Sequence, residues 1–222
     1  MCFSATASFA AAALTGAAGI AAVAMVRRPR DLPLAAMPLI FAAQQAVEGY
    51  LWLGLEQTPP SPATTALTYA FLVIAQVFWP VWAPLAALAI EPAPVRRRLI
   101  AACLALGAAT AALMAWDIAG RSHAAAIVGG HIVYTGNYVR AEPLGLVYLA
   151  ATALPLLLSS RRAAVLLGAI VLVGSAVAYD FYRQSFASVW CFFAAAASVV
   201  VVTHFAQARR RAPATPAVMA KI

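Results

Sequence analysis

The residues best suited to chemistry lie in Phe41–Leu55, which reads FAAQQAVEGYLWLGL. The stretch sits inside an apolar run, yet it carries Gln44, Gln45 and Glu48. Glu48 is the acidic residue placed deepest within an apolar span. A carboxyl group in lipid is costly, so a functional role is the first hypothesis for it. Helical spacing stacks Gln44, Glu48 and Trp52 on one face, with Gln45 beside them. Gln76 is a second polar insertion, three residues ahead of Trp79 and the sequence WPVWAP. Gln44, Gln45, Glu48, Trp52, Gln76 and Trp79 form a candidate ligand-binding set. In it Glu48 responds to a proton or cation, and the break at Pro80 and Pro84 supplies free carbonyls and a hinge. The plainer reading makes the glutamines interhelical hydrogen bonds and the tryptophans packing or interface anchors. Glu48 is then simply bonded to Gln45 or Gln76.

A second constellation is Cys2, Glu48, His131 and Cys191. If these residues meet at one end of a bundle, thiol, carboxylate and imidazole would suit zinc or copper. Alternatively, Cys2 and Glu48 could serve as a catalytic thiol and base. Removal of Met1 would leave a terminal cysteine amine. No spacing signature accompanies the set: the chain has no C-x-x-C and no H-E-x-x-H. The bland alternatives are a solvated His131 and cysteines that only fill space. Cys103 reads as a small core residue.

The elements that must position these groups are membrane helices. Hydrophobic residues make up 64% of the 222 and charged residues 10%, against about 25% charged in soluble domains. A soluble chain of this size could not cover so much apolar surface. Seven apolar segments can be placed, at 5–26, 33–55, 64–90, 99–116, 143–160, 163–180 and 186–206. Each is near the ~20 residues that cross a bilayer core. The basic residues cluster between them, at Arg27-Arg28-Pro29-Arg30, Arg96–Arg98, Arg161-Arg162 and Arg209–Arg211. Seven spans with the N-terminus outside and the C-terminus cytoplasmic put 12 of the 15 basic residues on the inner side, as the positive-inside rule favours. The expectation is an all-α integral membrane protein of seven transmembrane helices, multi-pass in the cell inner membrane. Its domain is 1–208, followed by a basic, disordered cytoplasmic tail at 209–222.

The net charge of +8 therefore speaks for anionic lipid headgroups at the inner arginines rather than for nucleic acid, since no aromatics interleave with the basic clusters. Three widely spaced cysteines are no disulfide framework. The first apolar run has no charged leader and is long enough to span, so it is expected to remain as a helix. Its small residues Ala12, Thr15, Gly16 and Gly19 allow close helix approach, and such faces could also build a homo-oligomer. Asp117–Glu142 is the longest connection, and HIVYTGNYV within it suggests an outer β-hairpin turning at Gly136-Asn137. Asp117, Glu142 and Asp180 are expected to pair with Arg121, Arg140 and Arg183.

Two seven-helix classes fail on residues. A retinal protein needs a lysine in its last helix, and the single lysine, Lys221, lies beyond it. Zinc hydrolases of the ceramidase type need a histidine pair in the last helix, where this chain has only His204. The pieces MCFSATASF at 1–9, QQAVEG at 44–49 with Trp52, FWPVWAPLA at 78–86, LPLLLSS at 154–160 and SVWCFFAA at 188–195 resemble an uncharacterised family of bacterial integral membrane proteins whose members begin Met-Cys-Phe-Ser-Ala. The resemblance covers nearly the whole chain. It implies a polytopic membrane protein and carries no activity. The leading functional expectation is an outward-facing intramembrane polar pocket at Glu48 that handles or senses a small molecule or ion. A metal- or thiol-dependent membrane enzyme and an assembly subunit of a membrane complex are the alternatives.

Overall fold

The computed structural model describes residues 4–135, 142–181 and 197–211, without the side chains of 142, 179–181 and 211. Helix α1, Ala5–Ala24, starts where the Ser4 hydroxyl accepts from the Ala7 N–H, a standard N-cap. It packs antiparallel on α3, Met37–Leu55, after the short α2, Leu32–Ala35. The small residues expected to allow this contact do so. Gly16 lies on Ala42, Gly19 on Leu39, and on the other helix Gly49 lies under the Phe9 ring.

The next helix runs from Ala63 to Ile90 in three parts: α4, Ala63–Leu72, a π turn at Val73–Phe78, and α5, Trp79–Ile90. Pro80 explains the π turn. In an α ladder its ring would clash with the carbonyl four residues back, and widening to an i→i+5 pattern relieves that clash. The carbonyl of Ala75 then has residue 80 as its partner, and a proline offers no N–H. The Tyr148 hydroxyl donates to that carbonyl at 2.6 Å from α7, Glu142–Leu157. The two expected proline breaks thus become one widened turn and one continued helix, with Pro84 inside α5.

Helix α6, Pro94–Gly120, is 27 residues long. At ~1.5 Å per residue it covers roughly 40 Å. It reaches α5 closely at Gly107, where a side chain would strike the Pro80 carbonyl. A two-stranded antiparallel hairpin follows, β1 Ala125–Val128 and β2 His131–Tyr134. Its turn is Gly129-Gly130, both with positive φ, at 58° and 76°. Two such residues are what a two-residue hairpin turn requires. The expected turn at Gly136-Asn137 lies outside the described residues. Helices α8, Arg162–Phe181, and α9, Ser198–Arg211, complete the bundle.

The expectation of seven membrane-spanning helices, with its N-outside, C-cytoplasmic alternation, is overturned. Among the described residues three helices are long and apolar enough to cross a bilayer: Ala5–Ala24, Ala63–Ile90 and Pro94–Gly120. The other apolar runs fall short for identifiable reasons. Helix α3 has 19 residues, but Gln44, Gln45 and Glu48 dilute its apolar content. The 16 residues of α7 reach roughly 24 Å, less than the ~30 Å core. The described part of α9 ends in three arginines. An assignment of sides that counted seven crossings loses its premise. The protein is nonetheless a multi-helix, multi-pass integral membrane protein, with leucines, isoleucine and tryptophan such as Leu14, Ile20, Leu113 and Trp116 turned outward along its spans.

Candidate functional site

The polar face of α3 points into the bundle. Gln44 and Glu48 are completely buried, and Gln45, Trp52, Gln76 and Trp79 are nearly so. The indole N–H of Trp79 donates to Gln44 Oε1 at 2.8 Å, crossing from α5 to α3. The same indole stacks on Phe41, one turn below Gln44, with ring centroids 4.1 Å apart. Gln45 Nε2 donates to Glu48 Oε2 at 3.4 Å. All six residues of the candidate set are thus buried polar or aromatic side chains on α3 and on the π-turn helix. The structure links Gln44 with Trp79 and Gln45 with Glu48 directly.

Two further polar atoms belong to this region, and sequence reading passed over one of their residues. Trp52 Nε1 and Ser8 Oγ are buried with no hydrogen-bond partner among the described residues. The α1–α3 register, Gly16 on Ala42 and Phe9 on Gly49, puts Ser8 at the level of α3 between Glu48 and Trp52. A serine in an alanine-rich span carries little signal by itself; its level beside the carboxylate emerges only from the pairing of the two helices. A buried donor without an acceptor costs about 1–3 kcal/mol, so this layer has a place for an acceptor.

A small cavity of about 20 Å³ lies alongside, lined by Met37, Phe41, Trp79, Ala83, Thr152, Leu156, Leu167 and Val171. It is apolar apart from Thr152, whose hydroxyl is occupied with the Tyr148 carbonyl. Trp79 borders both cavity and polar layer. Glu48 does not line it, and no pocket centred on Glu48 is found among the described residues.

The second constellation does not assemble. Cys2 and Cys191 lie outside the described residues. His131 opens β2 at the hairpin turn, and Glu48 sits midway along α3. Among the described residues no three of His, Cys, Asp and Glu converge to hold a metal. The zinc or copper site is therefore withdrawn. Cys103 is a buried free thiol.

Residues 1–218 match the model of a family described as a family of unknown function (DUF6629). The chain belongs to that family. No curated protein and no solved structure matches it. For this DUF6629 member, function must accordingly be argued from the residues.

Two polar clusters close the ends of the bundle. At one, Glu91 lies buried in the connection between α5 and α6. It accepts from the Ala93 N–H at 3.0 Å, the Ser159 hydroxyl at 3.0 Å and the Ser160 N–H at 2.6 Å. Burial alone would push its carboxyl up, but these donors outweigh it and hold the group below its ordinary value, because each stabilises the charged form. Arg96 donates to the carbonyls of Leu158 and Ser159, Arg97 to that of Leu88 and Arg161 to that of Ile90. At the far end of α6, Asp117 pairs with Arg121 at 3.0 Å, as expected. Arg140 and Arg183 lie outside the described residues.

Proposed function

We propose that this protein handles or senses a proton or small cation within the membrane, through the buried polar layer of Gln44, Gln45, Glu48, Trp52, Gln76 and Trp79. The observation that carries the reading is the complete burial of Glu48 in α3 beside other polar side chains. A carboxyl group held in a bilayer-embedded core is costly, and such groups mark ion and proton pathways. The donors Trp52 Nε1 and Ser8 Oγ supply places where water or ligand oxygen would be held. The π turn that leaves the Ala75 carbonyl to Tyr148 places a second polar joint in the helix carrying Gln76 and Trp79.

The arginine end contributes a membrane-surface role. Arg27, Arg28, Arg30, Arg98 and Arg162 are exposed, and we assign them to anionic headgroups, with the protein in the cell inner membrane.

The test is reconstitution in liposomes carrying an internal pH indicator, with sodium or potassium gradients applied in turn. Wild-type protein should give a pH- or cation-dependent signal. Glu48→Gln, which keeps the shape but removes the charge, should abolish it while the protein still inserts and purifies. An unchanged response in that variant would sink the reading.

A further inference from the structure

We propose that His123 is a proton-operated clasp that fastens the β-hairpin to the end of α6. His123 precedes β1 and is buried, its side chain enclosed by three elements. Its Nδ1 lies 3.2 Å from the Thr135 carbonyl, at the open end of the hairpin. Its Nε2 lies 3.5 Å from the Asp117 carbonyl and 4.0 Å from Asp117 Oδ2. Both ring nitrogens thus face acceptors. A neutral imidazole carries one N–H and can satisfy only one side; its other nitrogen then presents a lone pair to an oxygen. An imidazolium donates from both nitrogens at once.

The Asp117 carboxylate lies on the Nε2 side of the ring. Asp117 Oδ1 is taken by Arg121 Nε at 3.0 Å. Oδ2 is buried and has no hydrogen-bond partner among the described residues. It is the oxygen nearest His123. From α6 the charged groups facing the imidazole are Asp117 and Arg121; from α4 the titratable group is Tyr69. The Tyr69 hydroxyl donates to the Arg121 carbonyl at 3.1 Å and accepts from the His123 N–H at 3.2 Å, and its ring meets the imidazole edge-on. These backbone links hold the ring in place in either protonation state. Thr135 in turn closes the hairpin on Ala124 through both its N–H and its hydroxyl. The Arg121 side chain is 57% exposed, so the cluster borders water and bulk protons reach it.

The hairpin's other histidine, His131, begins β2 beside the turn. It pairs with Val128, five residues along from His123, so it stands roughly 17 Å away and serves as a control. Protonation of His123 adds a charge-assisted bond to Asp117 and tightens the hairpin; deprotonation loosens it.

Hydrogen–deuterium exchange of the detergent-purified full chain tests this, with rates divided by the intrinsic rate at each pH. Amide protection across residues 124–135 should rise about threefold to tenfold as pH falls from about 8 to about 5. His123→Gln should flatten that rise, Asp117→Asn should weaken it, and His131→Gln should leave it intact. A wild-type profile that does not change with pH overturns the clasp without recourse to any variant. So does a pH dependence that survives in His123→Gln.

Discussion

At the scale of single residues, the buried carboxylates Glu48 and Glu91 differ in what surrounds them. Glu48 sits midway along α3 and accepts from Gln45. Glu91 accepts from two backbone N–H groups and a hydroxyl and lies in a connection outside the spans. Its carboxyl is held below the ordinary value of 4.5. A group depressed on folding contributes stability that is fully present above the unfolded value. That contribution is lost as pH falls through the folded one. The Glu91 share of stability is thus complete at neutral pH and drains below about pH 4.5. Glu91→Gln should cost about 2 kcal/mol at pH 7 and make acid unfolding less steep. Thermal unfolding in detergent, measured from neutral to acid pH, checks both. The first substitution at the polar layer remains Glu48→Gln, whose expected result is loss of the pH- or cation-dependent signal without loss of insertion.

At the scale of elements, the helix from Ala63 to Ile90 shows how a proline is accommodated where no water is available. Pro80 removes a donor, the π turn absorbs its bulk, and Tyr148 from α7 satisfies the Ala75 carbonyl. Tyr148→Phe leaves that carbonyl without its donor and should destabilise the protein by about 1–3 kcal/mol. Pro80→Ala restores a backbone N–H that the carbonyl could use. The cost of Tyr148→Phe should then shrink by at least half in the Pro80→Ala background, a coupling that a double-mutant cycle measures directly. Equal costs in the two backgrounds would mean that Tyr148 stabilises α7 packing and not the turn.

At the scale of the whole molecule, the bundle has a basic end and a hairpin end. The structure brings Arg96, Arg97 and Arg161 onto carbonyls at the helix connections, while Arg27, Arg28 and Arg98 remain exposed. Anionic lipid should therefore raise the unfolding midpoint in mixed micelles by the equivalent of about 1 kcal/mol per engaged arginine. High salt should reverse the gain. Replacing Arg27 and Arg98 with Gln should reduce it, and zwitterionic lipid should give none.

The sequence by itself determined the class. An excess of apolar residues punctuated by arginine clusters leaves the bilayer as the only solvent that suits, and the rarity of acids inside apolar runs singled out Glu48. Helical periodicity correctly grouped Gln44, Glu48 and Trp52, because side chains four residues apart share a face in any α-helix. The count of crossings did not follow from the same data. Apolar runs in a bundle can be long enough to bury without being long enough to span, and only the helix ends distinguish the cases. A hairpin in Asp117–Glu142 was legible, but its turn at Gly129-Gly130 was not, since a glycine pair is only a local signal and the pairing of Ala125–Val128 with His131–Tyr134 decides it; the expected turn at Gly136-Asn137 lies outside the described residues. Contacts between elements distant in sequence were decided by tertiary structure alone: Trp79 with Gln44 and Tyr148 with Ala75. Each depends on how helices are shifted along one another, and an alanine-rich sequence specifies those shifts through close packing, which no local pattern records.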